Sequence, residues 1–325
     1  MVMVLLLSDS AVKRVIDIET LASVVEDALI KQAAGAVQRP DRPHYPIGHD
    51  LESPEPLGMA VVMPAYVHGE EYFATKLVSL HEDNEDRGLP TLHAQIVLTN
   101  ARTGLPLSFM DGTRITNART GCLGLLAARE LASDPVTLAV IGAGAQARWQ
   151  TRSIAAVREL EEVRVFSPSD SRFACADDLS EEGIPAAAVD SAAEAVEGAN
   201  VVVTATTATE PVFPADALAP GALVVAVGAF NAEMQELEPA VFDRAACVFA
   251  DVPEEVATIG DLVATDLTAE DLLPMRAFLD GSAGREADDE IVVVESVGSA
   301  VFDAAASSYV YEAAREEGVG SELSL

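Results

Sequence analysis

A short apolar, β-favouring run, residues 137–141, ends in Gly142-x-Gly144-x-x-Ala147 and passes into an alanine- and arginine-rich stretch of helical pattern. Strand, glycine turn and helix in that order form the context in which such a spacing means dinucleotide binding. Gly142 allows the tight turn, Gly144 brings no side chain between the backbone and a diphosphate, and Ala147 is small enough for helix–strand packing. Gly142, Ala143, Gly144, Ala145 and Gln146 are therefore the expected cradle. A helix N-terminus supplies free N–H groups and a favourable dipole for the anion. The alternative is a tight β–α turn in some other α/β protein.

Strands and helices alternate downstream. Apolar runs at 163–166, 199–204, 222–228, 247–250 and 291–294 predict buried parallel strands, so this part reads as a doubly wound sheet. The first third differs. Residues 2–7 read as a strand, Ser8 or Ser10 as a cap for a short helix, and residues 20–34 as a second helix ended by Gly35. The proline-rich stretch 39–48 reads as extended chain and residues 50–56 as a loop. Strands are expected at 59–66, 72–80 and 92–98, with a hairpin turn at 100–104 leading into 105–110. Residues 117–132 are helical in pattern, as are 300–316, expected to return to the N-terminal part. The domain reading is 1–117 with the helix of 300–325, and 118–299.

The chain carries 53 acidic against 20 basic residues, a net charge of −33. That charge argues against nucleic acid and anionic membrane as partners. The acids are dispersed rather than gathered in a tail, the pattern of a halophilic protein kept soluble in high salt. Three separated cysteines without a CxxC fit a reducing cytoplasm. The initial apolar run is too short to cross a membrane and lacks the basic flank of a signal peptide.

Against this background lysine is conspicuous. There are three, Lys13, Lys31 and Lys76, and the last stands in Tyr72-Phe-Ala-Thr-Lys-Leu-Val-Ser-Leu80 on one strand face with Tyr72, Ala74, Val78 and Leu80. A desolvated lysine there can transfer a proton; the other reading is an edge-strand lysine guarding against aggregation. Arg42, in the extended segment, and Arg114 and Arg119, at the entry to the sheet, are candidates for holding a substrate carboxylate, or else form structural ion pairs. His81, Glu82, Asp83 and Asn84 form a polar cluster whose spacing matches no strong metal-ligand pattern, so no metal is expected.

These residues lie in ordered landmarks along nearly the whole chain: Met63-Pro-Ala-Tyr66, Thr75-Lys-Leu-Val-Ser-Leu-His-Glu-Asp-Asn84, Gly88-Leu-Pro-Thr91, Met110-Asp-Gly112, Ala118-Arg-Thr120, the glycine fingerprint, Thr204-Ala-Thr206, Glu210-Pro211, Val227-Gly-Ala229, Glu236-Leu237 and Ser296-Val-Gly298. With them the chain resembles the ornithine cyclodeaminase/μ-crystallin family, which also includes archaeal alanine dehydrogenases. The resemblance implies a Rossmann domain beside a β-rich N-terminal substrate and dimerisation domain whose strands pair across a homodimer. It also implies a nicotinamide cofactor and a small amino or imino acid substrate. Carried over by position, Arg42 and Arg119 hold the substrate carboxylate, and Lys76 contacts it or relays a proton. Thr204, Ala205, Thr206, Val227, Gly228, Ser296, Val297 and Gly298 line the nicotinamide end.

Two departures refine this. Cyclodeaminases and the archaeal alanine dehydrogenase type place an aspartate two residues after the glycine of Val-Gly-Ala, where this chain has Phe230. Phenylalanine cannot accept a proton, and the μ-crystallin branch, associated with imine reduction, also lacks the aspartate. NAD-binding members end the second strand with an aspartate; here Ser167 stands in that place, with Arg172 able to pair with a 2′-phosphate and Asp170 opposing it, a balance that tips toward NADP over NAD. The expectation is an NAD(P)-dependent reductase of a small imino acid, such as a cyclic ketimine, or an enzyme running amino-acid oxidation in reverse. A true ornithine cyclodeaminase and a non-catalytic cofactor-binding protein are the alternatives.

Overall fold

The computed structural model describes residues 2–52 and 54–325, except for the side chains of Glu82, Glu85 and Asp86. Two compact units emerge, Met1–Arg119 together with Ser299–Leu325, and Thr120–Gly298.

In chain order the first unit begins with β1 (Met3–Leu7), α1 (Asp9–Val15) and α2 (Ile18–Ala33). It continues through β2 (Val37–Gln38), β3 (His44–Ile47), β4 (Gly58–Val67), β5 (Tyr72–Leu80), β6 (Leu92–Asn100) and β7 (Pro106–Asp111). Ser8 caps α1 by accepting from the Ala11 amide. Helix α2 starts earlier than its apolar pattern suggested, because the Asp17 carboxylate accepts from the Thr20 amide at 2.9 Å. Part of the segment read only as extended chain is a true strand: β3 pairs antiparallel with β4 despite its proline.

Helix α3 (Gly112–Leu131) carries the chain from the first unit into the second. Its start was expected at residue 117. The Asp111 carboxylate instead accepts from the Arg114 amide at 2.9 Å, which caps a helix five residues longer at its N-terminus.

The second unit then alternates β8 (Val136–Ile141), α4 (Ala145–Ala155), β9 (Leu160–Phe166), α5 (Ser171–Glu181), β10 (Ala186–Ala188), α6 (Ala192–Val196), β11 (Val201–Thr204) and β12 (Leu223–Ala226). After these come α7 (Pro239–Arg244), β13 (Ala245–Ala250), α8 (Pro253–Val256), α9 (Gly260–Val263), β14 (Leu273–Pro274), α10 (Arg276–Leu279) and β15 (Ile291–Glu295). The chain closes in the first unit with α11 (Ala300–Glu317) and β16 (Ser321–Ser324), the latter pairing with β1.

The second unit holds an eight-stranded sheet in the order β10-β9-β8-β11-β12-β15-β13-β14. All its pairings are parallel. Strands β11, β12 and β15 are buried along their whole length, which is why they read as unbroken Val-rich runs without alternation. The chain leaves β8 first toward β9 and later returns to add β11 on the other side, so β8 and β11 flank a topological switch point. In such sheets ligands bind beyond the carboxyl ends of the strands at that point.

In the first unit the sheet runs β16-β1-β7-β6-β5-β4-β2, with β3 also on β4. Helix α11 packs on β4, β5 and α2. One row of the face it covers reads Leu7, Met110, Ile96, Lys76 and Met63 across five strands, and every member is buried. A lysine stands in the middle of an apolar row.

Candidate active site

Strand β5 is not an edge. It is paired with β4 on one side and β6 on the other, which removes the reading of Lys76 as a guard against strand addition. The side chain is 2 % exposed, and its ammonium lies 2.5 Å from Oδ2 of Asp303 and 3.3 Å from the Thr116 hydroxyl. Asp303 sits in the first turn of α11 at 1 % exposure, and its Oδ1 accepts from Nε of Arg119 at 2.9 Å. Thr116 and Arg119 are three residues apart on α3, so one helix face presents both.

Burial pulls the Lys76 ammonium down from 10.5 to about 8; Asp303 opposes the shift, while the charges of Arg119 and Arg42 reinforce it. For Asp303 burial acts upward, but Arg119 and Lys76 outweigh it and hold the carboxyl below its ordinary value. Two buried cations thus share one buried carboxylate, and half-buried Arg42 adds to the positive field at Lys76. In a chain of net charge −33 this is a local excess of positive charge with low dielectric around it. It suits a carboxylate ligand, and it keeps a proton donor that titrates close to neutrality.

Arg114, the third arginine singled out in the sequence, is put to other use. Its guanidinium pairs with Asp9 through Nε at 2.6 Å and Nη2 at 3.0 Å on the outside of the first unit. The polar cluster after β5 serves the loop: His81 Nδ1 bonds the Leu57 carbonyl and Asn84 donates to that of Pro90. The Glu82 side chain lies outside the described residues. Among the described residues no group of three His, Cys, Asp or Glu side chains is placed to hold a metal.

In the second unit the glycine turn follows β8 at the switch point. Gly142 has φ +115°, and a Cβ there would lie 2.4 Å from the Ala205 carbonyl of the turn after β11, so the position excludes a side chain. A Cβ on Gly144 would instead meet nothing within 4 Å, opening onto the start of α4, where the N-cap glycine has no side chain to cap the helix. An open backbone cradle at a helix N-terminus capped by glycine fits a diphosphate. At the tip of β9, Ser167 is buried, and Arg172 donates through Nη1 to the carbonyls of Ser167 at 3.3 Å and Ser169 at 3.0 Å.

The remaining turns at the carboxyl ends are fixed by acids that sequence reading gave no role. Asp251 accepts from the Ser296 hydroxyl at 2.7 Å and from the amides of Val297 and Gly298 at 3.2 and 2.8 Å. Glu236 bonds Thr204, Thr206 and Gly228. Asp303 escaped in the same way. Asp251 and Asp303 are carboxylates inside apolar or small-residue stretches, which is the signal that could have found them; Glu236, among Glu233, Gln235 and Glu238, carries no such signal.

The sequence model of the ornithine cyclodeaminase/mu-crystallin family matches residues 2–318. The chain belongs to that family. It is 34% identical to a Delta(1)-pyrroline-2-carboxylate reductase of Bacillus cereus over 311 residues, 91% of this chain and 94% of the relative. Among solved structures, the Delta(1)-pyrroline-2-carboxylate reductase of Thermococcus litoralis, in complex with NADH and L-proline, is similar with a TM-score of 0.91 and 31% identity, covering 98% of this chain and 99% of that one. An archaeal alanine dehydrogenase dimer with bound NAD has a TM-score of 0.89 and 29% identity, with 99% of both chains covered.

Proposed function

We propose that this family member is a reductase of a small cyclic imino acid, of the pyrroline- or piperideine-2-carboxylate type, or of the imine formed from a 2-oxo acid and ammonia. At the coarser level, it is a nicotinamide-dependent oxidoreductase acting at a C–N centre, as are the reductases and the alanine dehydrogenase it matches. The observation that carries the finer reading is the buried Lys76–Asp303–Arg119 group with its surplus positive charge. Arg119 and Arg42 would hold the substrate carboxylate, and Lys76 would deliver the proton to the imine nitrogen. Asp303 would keep both cations oriented before the substrate arrives, so that little reorganisation is left for the reaction. The nicotinamide supplies the hydride when bound. Gly142, Ala143, Gly144, Ala145 and Gln146 would hold its diphosphate, and Thr204, Ala205, Thr206, Val227, Gly228, Ser296, Val297 and Gly298 would line its other end.

Ser167 and Arg172 favour NADPH by removing the usual acid and adding a cation at the ribose edge, while exposed Asp170 works against it. Phe230, 41% exposed, stands where a cyclodeaminase needs a carboxylate, which places net reduction ahead of ammonia release from ornithine. The acid-rich composition and three cysteines outside any disulfide fit a reducing, salt-rich cytoplasm. The decisive assay follows NADH and NADPH oxidation in molar KCl and in dilute buffer, with the two ketimines, and with 2-oxo acids plus ammonia. Net oxidation, faster with NADPH and in high salt, is the expected result. Ammonia from ornithine without net coenzyme change would overturn the reductase reading.

The second proposed element is a homodimer formed through the first unit. On the sheet face opposite Lys76, Leu6, Phe109, Val97, Thr75 and Pro64 form one row across five strands, with Leu77 beside it. Leu6, Leu77 and Phe109 are 37, 39 and 38% exposed, an apolar stripe of the kind that marks an interface. A second copy is the natural occupant, since the similar alanine dehydrogenase is a dimer. Light scattering in molar KCl should give twice the chain mass, and Leu77→Asp with Phe109→Asp should halve it. A monomeric wild type, or an unchanged mass in the variant, would refute this.

A further inference from the structure

We propose that Glu236 is a positioning residue for the coenzyme, clamping the turns after β11 and β12 into one platform. This rests on the reading of those turns as the lining of the dinucleotide site.

Glu236 is fully buried and uses both oxygens twice. Oε1 accepts from the Thr206 amide at 2.6 Å and the Thr206 hydroxyl at 2.8 Å. Oε2 accepts from the Gly228 amide at 2.8 Å and the Thr204 hydroxyl at 3.0 Å. The Ala208 amide donates to the same Thr206 hydroxyl at 3.2 Å, which directs that hydroxyl's proton to Glu236. Two backbone N–H groups and one directed O–H therefore need acceptors on both oxygens, and an ionised carboxylate makes these bonds strongest. Close packing says the same. A Cβ on Gly228 would lie 2.5 Å from Glu236 Oε1 and 2.4 Å from the Thr206 carbonyl, so the two turns and the carboxylate fit only with glycine there. Asp261 on α9 anchors the clamp from behind, accepting from the amides of Glu236 and Leu237 at 2.6 and 2.7 Å.

A clamp held by charge-assisted bonds should respond to protons. Burial is the main force raising Glu236 from 4.5 to about 7; the bonds from Thr206 and Gly228 act downward and the Asp261 charge upward. The other acids facing it are Asp261, pushed up to about 6, and Glu295 on β15, held well above its ordinary value by burial and by the charges of Asp261, Glu236 and Asp251. On protonation Oε2 can donate to the Thr204 hydroxyl and still accept from the Gly228 amide, so the contacts persist, but they lose the carboxylate charge that strengthens them. Coenzyme affinity should then be complete above pH 7 and fall as the pH drops through it.

The test is fluorescence titration of NADH, which carries no titrating 2′-phosphate, between pH 8 and pH 6 in molar KCl. For the wild type the dissociation constant should rise about tenfold over that range, following the ionised fraction. In Glu236→Gln one amide N–H must face an NH2 group, so binding at pH 8 should be about tenfold weaker. The variant's profile should also be flat, whereas a merely structural residue would leave the slope unchanged. A folded variant that binds within twofold of the wild type at pH 8, or a flat wild-type profile, overturns the proposal. The wild-type profile decides alone if the variant does not fold. A wild type that binds no NADH at any pH removes the coenzyme reading along with the clamp.

Discussion

Lys76→Ala is expected to lower kcat for imine reduction by about 10² to 10⁴, the range for loss of a positioned proton donor, while NADH binding stays within twofold. Steady-state oxidation of NADH and a fluorescence titration separate the two. Alanine also leaves a cavity beside Ile96 and Met63, so Lys76→Met serves as the partner variant, keeping the volume and removing only the charge and the proton. If the loss comes from chemistry, both variants fall together. If methionine restores turnover to within tenfold of the wild type, the proton role assigned to Lys76 is wrong.

The same residue sets the direction of the pH profile. Reduction needs the ammonium form, because the amine produced takes up a proton as hydride arrives. With the Lys76 value lowered to about 8, first by burial, kcat/KM for the imine at saturating coenzyme should be flat below pH 8 and decline above it. Oxidation of the amino acid needs the neutral amine and should instead rise through pH 8 to a plateau. An unburied lysine would put both limbs more than two units higher, near its ordinary 10.5.

How much of this could be read from residues alone differs between the units. The second unit was legible because its signals are local: a glycine spacing between strand and helix, and Val-rich runs whose lack of alternation reports burial on both faces. In the first unit apolar runs between turn signals revealed the longer strands, but β3 was hidden in a proline-rich stretch and β16 depends on β1 at the other end of the chain. Helix starts were misjudged at α2 and α3 because apolar periodicity says little about caps, and Asp17 and Asp111 decide those ends. Lys76 was conspicuous by rarity. Asp303, more than two hundred residues away, was not, because an acid in a helix's first turn has an ordinary reading as a partner of the dipole. Only folding brings it to Lys76 and Arg119, and no spacing rule reaches that far.

Asp303→Asn should be the most destabilising single change near this group. It leaves two buried cations without their anion, a loss of about 3–5 kcal/mol for breaking a buried pair from one side. Thermal unfolding in molar KCl should fall by on the order of 10 °C. Asp303 is held below its ordinary value of 3.8, so its contribution is complete above that pH and fades as the pH drops through its folded value. The loss should therefore be undiminished at neutral pH. Activity should suffer separately: with Asp303 gone, nothing offsets the effect of burial and Arg119 on Lys76, so the alkaline limb of reduction moves below pH 8. The double variant Asp303→Asn with Lys76→Met tells the two effects apart. Removing one cation along with the anion leaves Arg119 as the one buried charge of the three, so stability should partly return, and non-additivity between contacting groups is the expected sign of their coupling. Turnover should not return, because the proton donor is gone. A double variant no more stable than Asp303→Asn would show that asparagine disrupts packing at the start of α11 and that charge balance is not what Asp303 provides.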